Sequence, residues 1–303
     1  MIVGDLAQLV FSVPDEVAEA VANLLSEEVG AGLEQRDSET LDKPEQAGNT
    51  ELVVCVPSSR VEAQINAVNA LLASLAEMGQ RTDPHSHRSQ DIRPEDWIDL
   101  YKRHFKAHRL ARHTVVKPSW EDYEAAAGEL VVELDPGQAF GTGLHASTRL
   151  CVSALERSAR LGPAPSDALD VGCGTGILAI VIARLWPSCR VLAVDNDPIA
   201  VEVARENVAR NGLSDRIKVE QRSAADLDGQ YGIVTANLTF EALVELAPVL
   251  RERIGDFGRL IMSGLLSERA RELQQVYTHD LILESEYTEE QDGWRSVTVR
   301  VRA

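Results

Sequence analysis

The stretch LDVGCGTGIL, Leu169 to Leu178, constrains the fold of this chain more than any other. An apolar run, ALDVG (168–172), ends in three alternate glycines, Gly172, Gly174 and Gly176, and passes directly into GILAIVIARLW. A strand, a tight turn and a helix in that order belong to an α/β fold with a mostly parallel sheet. The glycines let a ligand come close to the backbone. Asp195 ends the next strand, RVLAVD (190–195), 23 residues after Gly172. An acid at that place binds ribose hydroxyls in Rossmann-like folds. The helix PIAVEVARENVARNG follows, with Pro198 at its start and Gly212 at its end. RIKVE, YGIVTA and RLIMSG continue the series. DLILESEYT and WRSVTVRVR, joined by the short turn EEQDGW, must pair antiparallel.

The 303 residues are too many for one small core, and the pattern changes along the chain. Residues 6–13 read as a strand, 15–29 as a helix capped by Asp15, and 31–36 as a strand. A polar loop, DSETLDKPEQAGNT, precedes a strand at 51–57, a helix at 58–79 and a final strand near 85–92. The order βαββαβ is that of a ferredoxin-like α+β domain over 1–92, which carries no function by itself. Residues 93–112, RPEDWIDLYKRHFKAHRLAR, read as a linker helix, and 113–303 as the α/β domain. From Lys102 to Lys117 there are 6 Lys and Arg and no acid. His104 and His108 are four apart, but no third ligand accompanies them, so no metal is expected.

Charge narrows the partners. The net charge is −18, and residues 1–92 account for −11 of it. Such a surface repels nucleic acid phosphates and attracts basic proteins, although solubility alone explains many acidic chains. No apolar run approaches the roughly 20 residues that span a bilayer. The start, MIVGDLAQLVF, has neither a basic segment nor a cleavage site, so the expected compartment is the cytoplasm. Cys55, Cys151, Cys173 and Cys189 form no CxxC pair, so neither a zinc site nor a disulfide framework is expected. Cys173 reads as a small residue packed under the loop.

A further glycine stretch lies upstream, DPGQAFGTGLHASTRL, Asp135 to Leu150. No Gly-Lys-Ser/Thr follows it, so it is not a phosphate loop of the Walker kind. For LDVGCGTGIL, two cofactor classes fit so far. A nicotinamide enzyme calls for GxGxxG, whereas the third glycine here comes one residue early and Ile177 follows. That spacing, together with the closing antiparallel hairpin, resembles the class I S-adenosylmethionine-dependent methyltransferases, whose glycines make room for the methionine part of the cofactor.

DPGQAFGTGLHAST, DVGCGTGILAI, VDNDPIA and Ala236-Asn237-Leu238 together resemble the bacterial ribosomal protein L11 methyltransferase (PrmA-type) family over essentially the whole chain. DWIDLYKRHFKAHRL and VKPSW are similar to that family's linker and first catalytic strand. The resemblance implies a class I Rossmann-like sheet with an antiparallel C-terminal hairpin, preceded by a ferredoxin-like substrate domain. It implies methyl transfer from S-adenosylmethionine to amines of a basic ribosomal protein of the L11 type, leaving S-adenosylhomocysteine. Cofactor contacts would come from Thr148, Gly172, Asp195 and Asn237, with Asp170 and Gly174 of the same loop. Phe140, Gly141, Thr142 and Gly143 would form a lid above them. Leu144, Ala146, Leu238 and Thr239 depart from the family pattern beside the lid and the acceptor site. A monomer without metal is expected.

Methyl transfer of this kind is in-line displacement at a sulfonium by an amine lone pair, so positioning matters more than acid–base groups. Asn237 would accept a hydrogen bond from the amine and act as the catalytic residue. His145 reads as a structural hydrogen-bonding residue rather than a base. Nucleobase amine methylases carry Asn/Asp-Pro-Pro-Tyr at this place. Here the prolines are missing and the stacking aromatic is read as absent, with Phe240 nearby, so no nucleic acid substrate is expected. Three alternatives stand beside the main reading: a methyltransferase for another protein lysine or a small amine, a catalytically silent cofactor-binding module, and a nicotinamide oxidoreductase.

Overall fold

A computed structural model describes residues 6–29, 34–36, 48–82, 87–92, 106–135, 143, 145–281 and 283–301. The chain divides into two compact units, Met1–Phe105 and Lys106–Ala303.

In the first unit, strand β1 (Leu6–Pro14) runs into helix α1 (Asp15–Val29). Asp15 and Glu16 place negative charge at the positive end of the helix, and Thr50 Oγ1 donates to Asp15 Oδ1 at 2.8 Å. Strands β2 (Glu34–Arg36) and β3 (Asn49–Pro57), helix α2 (Val61–Glu77) and strand β4 (His87–Ile92) complete the unit. The sheet order is β2-β3-β1-β4, with every pairing antiparallel. Leu9, Phe11 and Val13 alternate along β1 and meet Leu52, Val54 and Val56 of β3 on one face. Val17, Val21 and Leu25 of α1, with Val68 and Leu72 of α2, recur at helical spacing and cover that face.

The second unit opens with a small sheet, β5 (His108–Arg109), β6 (Thr114–Lys117) and β7 (Leu130–Glu133). Residues 106–112 therefore do not continue a linker helix, and 93–105, including His104, lie outside the described residues. The reason is local: the Leu110 and Ala111 N–H groups both donate to the Thr114 carbonyl, closing a turn that sets His108 opposite Val116. Val115 and Val116 are β-branched and buried, which favours β6, the strand that β5 pairs with.

After helix α3 (Ala146–Leu161) come β8 (Asp167–Val171), α4 (Ile177–Leu185), β9 (Arg190–Asp195), α5 (Pro198–Arg210), β10 (Ile217–Gln221) and β11 (Tyr231–Asn237). The chain continues through α6 (Phe240–Glu245), α7 (Ala247–Arg253), β12 (Ile254–Leu266), α8 (Ala270–Gln275), β13 (Leu283–Gln291) and β14 (Trp294–Val301). The sheet order is β10-β9-β8-β11-β12-β14-β13. β8 to β12 run parallel, while β14 is antiparallel to both of its neighbours. Asp292 (φ 51) and Gly293 (φ 77) make the two-residue left-handed turn that a tight β13–β14 hairpin requires. Ile177–Ala183 is buried on every side, so α4 is a core helix rather than an amphipathic one. Among the described residues, no helix is long and apolar enough to cross a membrane.

Candidate active site

In a parallel sheet all strands end on one edge, and the connections turn opposite ways where the strand order reverses. Here the order reverses between β8 and β11. Gly172 follows the end of β8 and Asn237 ends β11, so both stand at the crevice where such sheets bind ligands.

Gly172, Gly174 and Gly176 all have left-handed backbone, with φ of 68, 53 and 79. At Gly172 a Cβ would collide with Leu238 Cδ2. Asp170, although part of the motif, is 1% exposed and turned into the protein. It accepts from Thr235 Oγ1 at 2.7 Å and from the Ala179 N–H at 3.2 Å. Burial pushes its carboxyl up to about 7, and those two bonds oppose the shift. Asp170 therefore braces the loop, the start of α4 and β11. Asp195 is half-buried, and its two oxygens accept the Gly174 N–H at 2.9 Å and the Asp197 N–H at 3.0 Å. Each oxygen keeps a lone pair for a ligand.

Asn237 Nδ2 donates to Thr148 Oγ1 at 3.3 Å. That leaves Asn237 Oδ1 buried with no partner among the described residues. A buried acceptor without a donor is costly, and at a strand end in a ligand crevice it marks where a donor belongs. Thr148 itself is 0% exposed on α3 and acts on Asn237. His145 caps that helix: its Nδ1 accepts the Ser147 N–H at 3.3 Å, and its ring packs edge-on against Trp294 at 4.4 Å. Burial holds its pKa below the ordinary value, with Arg149 adding to the effect. Gly143 (φ 84) packs beneath its neighbours so closely that a Cβ would lie 2.7 Å from Leu110 and 3.3 Å from Ile177. Phe140, Gly141, Thr142 and Leu144 lie outside the described residues.

Counted from Asn237, Phe240 does occupy the fourth place, where the nucleobase methylase motif has its tyrosine, which corrects the sequence reading. The ring is nonetheless unavailable for stacking: it is 8% exposed, and the Arg269 guanidinium sits 3.4 Å from its centroid. Glu241 holds that guanidinium at 2.7 Å.

The family model for ribosomal protein L11 methyltransferase (PrmA) matches residues 5–302. The chain belongs to the ribosomal protein L11 methyltransferase (PrmA) family. It is 37% identical over 268 residues to a ribosomal protein L11 methyltransferase of Geobacter metallireducens, covering 87% of each chain. A relative of the same name from Pelobacter propionicus is 34% identical over 303 residues, covering 97% of this chain and 96% of its own. Among solved structures, the ribosomal protein L11 methylase of Lactobacillus delbrueckii subsp. bulgaricus superposes with a TM-score of 0.59 at 30% identity, covering 65% of this chain and all of that one.

Two of the departures from the family pattern, Leu238 and Thr239, have local explanations. Leu238 packs over Gly172, and its N–H donates to the Ser263 carbonyl at 3.1 Å. Thr239 caps α6, its Oγ1 accepting from the Ala242 N–H at 3.4 Å. Cys151, Cys173 and Cys189 are buried, and burial raises all three thiols, so none is a nucleophile. Asn207 on α5 and Asn211 at its C-terminal cap, which sequence reading passed over, reach two separate backbone segments. Their four-residue spacing, with buried amides on a helix, was the available signal.

Proposed function

We propose that this protein transfers methyl groups from S-adenosylmethionine to amines, on lysine side chains or the N-terminus, of ribosomal protein L11. The observation that carries the reading is the unpartnered Asn237 Oδ1, turned by Thr148 at the end of β11 beside the glycine loop. The residues present fit the cofactor: the left-handed glycines Gly172 and Gly174 put no side chain over the turn, and Asp195 has acceptor capacity for ribose hydroxyls. Bound S-adenosylmethionine supplies a methyl group on a sulfonium whose departure as a neutral thioether needs no acid.

The chain's own residues orient the acceptor. Asn237 Oδ1 accepts an N–H of the incoming amine, which points the nitrogen lone pair away from that bond and fixes its direction. Thr148 prevents the amide from rotating. The amine must arrive neutral, and a free lysine has a pKa near ~10.4. Enclosure beside a sulfonium disfavours the ammonium form, so desolvation does the work of a base. His145 is engaged as a helix cap and takes no part. The Arg269-covered ring of Phe240 weighs against a nucleobase acceptor. The acidic residues of 1–92 favour a basic protein partner, and we assign recognition of that partner to the N-terminal unit, with the cytoplasm as the working compartment.

The test is incubation with methyl-labelled cofactor and ribosomal proteins from cells lacking the activity. Label is expected in L11 alone. A chain lacking residues 1–105 should still bind the cofactor but leave L11 unlabelled. Label in RNA, or none in L11 with the full chain, would overturn the reading.

A further inference from the structure

Asn207 is 1% exposed in the interior of α5. Its Nδ2 donates to the carbonyl of Thr175, inside the glycine loop, at 3.0 Å. Its Oδ1 accepts the N–H of Asp135, just beyond the end of β7, at 3.3 Å. One turn further on, Asn211 accepts the Glu133 N–H at 3.1 Å and donates to the Glu133 carbonyl at 2.6 Å, while Arg210 pairs with the Asp135 carboxylate at 3.2 Å. The same helix touches the loop directly, since a Cβ on Gly176 would lie 3.2 Å from Ala204 Cβ. It also begins three residues after Asp195.

Asparagine is a poor helix former, and a buried amide costs free energy unless both its ends are bonded. Packing alone would call for an apolar residue at 207. What the amide adds is one joint between two segments that are 40 residues apart in sequence and share no strand pairing.

We propose that Asn207 is a positioning residue that couples the glycine loop 172–176 to the end of β7 at Asp135, so that cofactor bound on the loop also orders the segment leading into the upstream glycine stretch. The inference rests on the cofactor reading above.

The experiment uses the full chain, S-adenosylhomocysteine as probe, calorimetry and amide hydrogen exchange. In the wild type, ligand should slow exchange in both 172–176 and 133–135. Asn207→Ala should raise Kd about tenfold, the scale of one lost buried hydrogen bond. At saturating ligand it should keep protection in 172–176 and lose it at the Asp135 amide, the one N–H of 133–135 that Asn207 holds. Asn207→Asp retains an acceptor for Asp135 and removes only the donor to Thr175; it should uncouple the segments in the same way, and it carries the test if the alanine variant does not fold. Tyr277→Phe removes a buried hydrogen bond to the Leu243 carbonyl, away from both segments, and should lower Tm while leaving Kd and both protections as in the wild type. Unchanged protection of 133–135 in the Asn207 variants, or a Kd within twofold of wild type, overturns the coupling alone. A wild-type protein that does not bind S-adenosylhomocysteine overturns the cofactor reading with it.

Discussion

The two units use the same materials to different ends. In the N-terminal unit every strand pairing is antiparallel, so neighbouring strands end on opposite edges and no edge gathers the C-terminal ends. Several of its polar groups close on one another: Asn49 donates to Ser12, Thr50 to Asp15, and both oxygens of Glu51 receive Arg88. In the second unit five parallel strands end together, and their connections part between β8 and β11. There the protein leaves Asn237 Oδ1 unpaired and sets three left-handed glycines after the end of β8. The difference teaches that a crevice comes from topology, whereas chemistry comes from polar atoms that the fold holds in place without satisfying.

The sharpest way to break this comparison is Gly172→Ala. A left-handed φ and a collision with Leu238 should lower cofactor affinity about 100-fold. Calorimetry with S-adenosylhomocysteine measures it, and an affinity within threefold of wild type would show that the loop tolerates a side chain and is no cradle. Asn237→Ala should cut turnover about 100-fold while cofactor Kd moves little, because its work is to aim the amine. Equal loss in both would place it in cofactor binding instead. Asp195→Ala should weaken cofactor binding about tenfold to 100-fold, as expected for a charged hydrogen bond. An unchanged Kd would remove Asp195 from the site.

The smallest effect concerns Asp170, which separates bracing from binding. Its folded pKa, about 7, lies above the ordinary 3.8. Burial thus favours the protonated carboxyl in the folded protein below about pH 7. Its contribution to stability is full below the ordinary value and fades as pH rises towards 7. Asp170→Asn removes that dependence, so the Tm of the variant relative to wild type should climb by a few degrees between pH 5 and pH 8. A flat difference across that range would mean that the carboxyl is not held protonated by burial.

Much of the site was legible because its signals are local. Gly172, Gly174 and Gly176 follow a short strand and precede an apolar helix, and the backbone there takes the positive φ that their spacing implies. Asp195 reads as a strand end, whereas Asn237 comes from the family resemblance. The fate of Asp170 was not legible, because an acid in a motif looks the same whether it faces the crevice or Thr235. Phe240 was miscounted against the nucleobase motif, and nothing near it in sequence announces Arg269, 29 residues on. The stretch 106–112 reads as part of a linker helix, yet the turn onto Thr114 satisfies its backbone in a hairpin.

By itself the sequence determined the alternation of strands and helices, the glycine loop, the closing hairpin and the family. Each depends on periodicity, turn chemistry or a short motif, which are set by neighbours along the chain. Only the tertiary structure decided which polar groups are satisfied. Asp170 is spent on Thr235 and Ala179, His145 on a helix end, Phe240 on Arg269, and Asn207 on two segments at once. Asn237 Oδ1 is left open. A hydrogen-bond partner is chosen by distance in space, and the strand order that brings β11 beside β8 is what sets those distances.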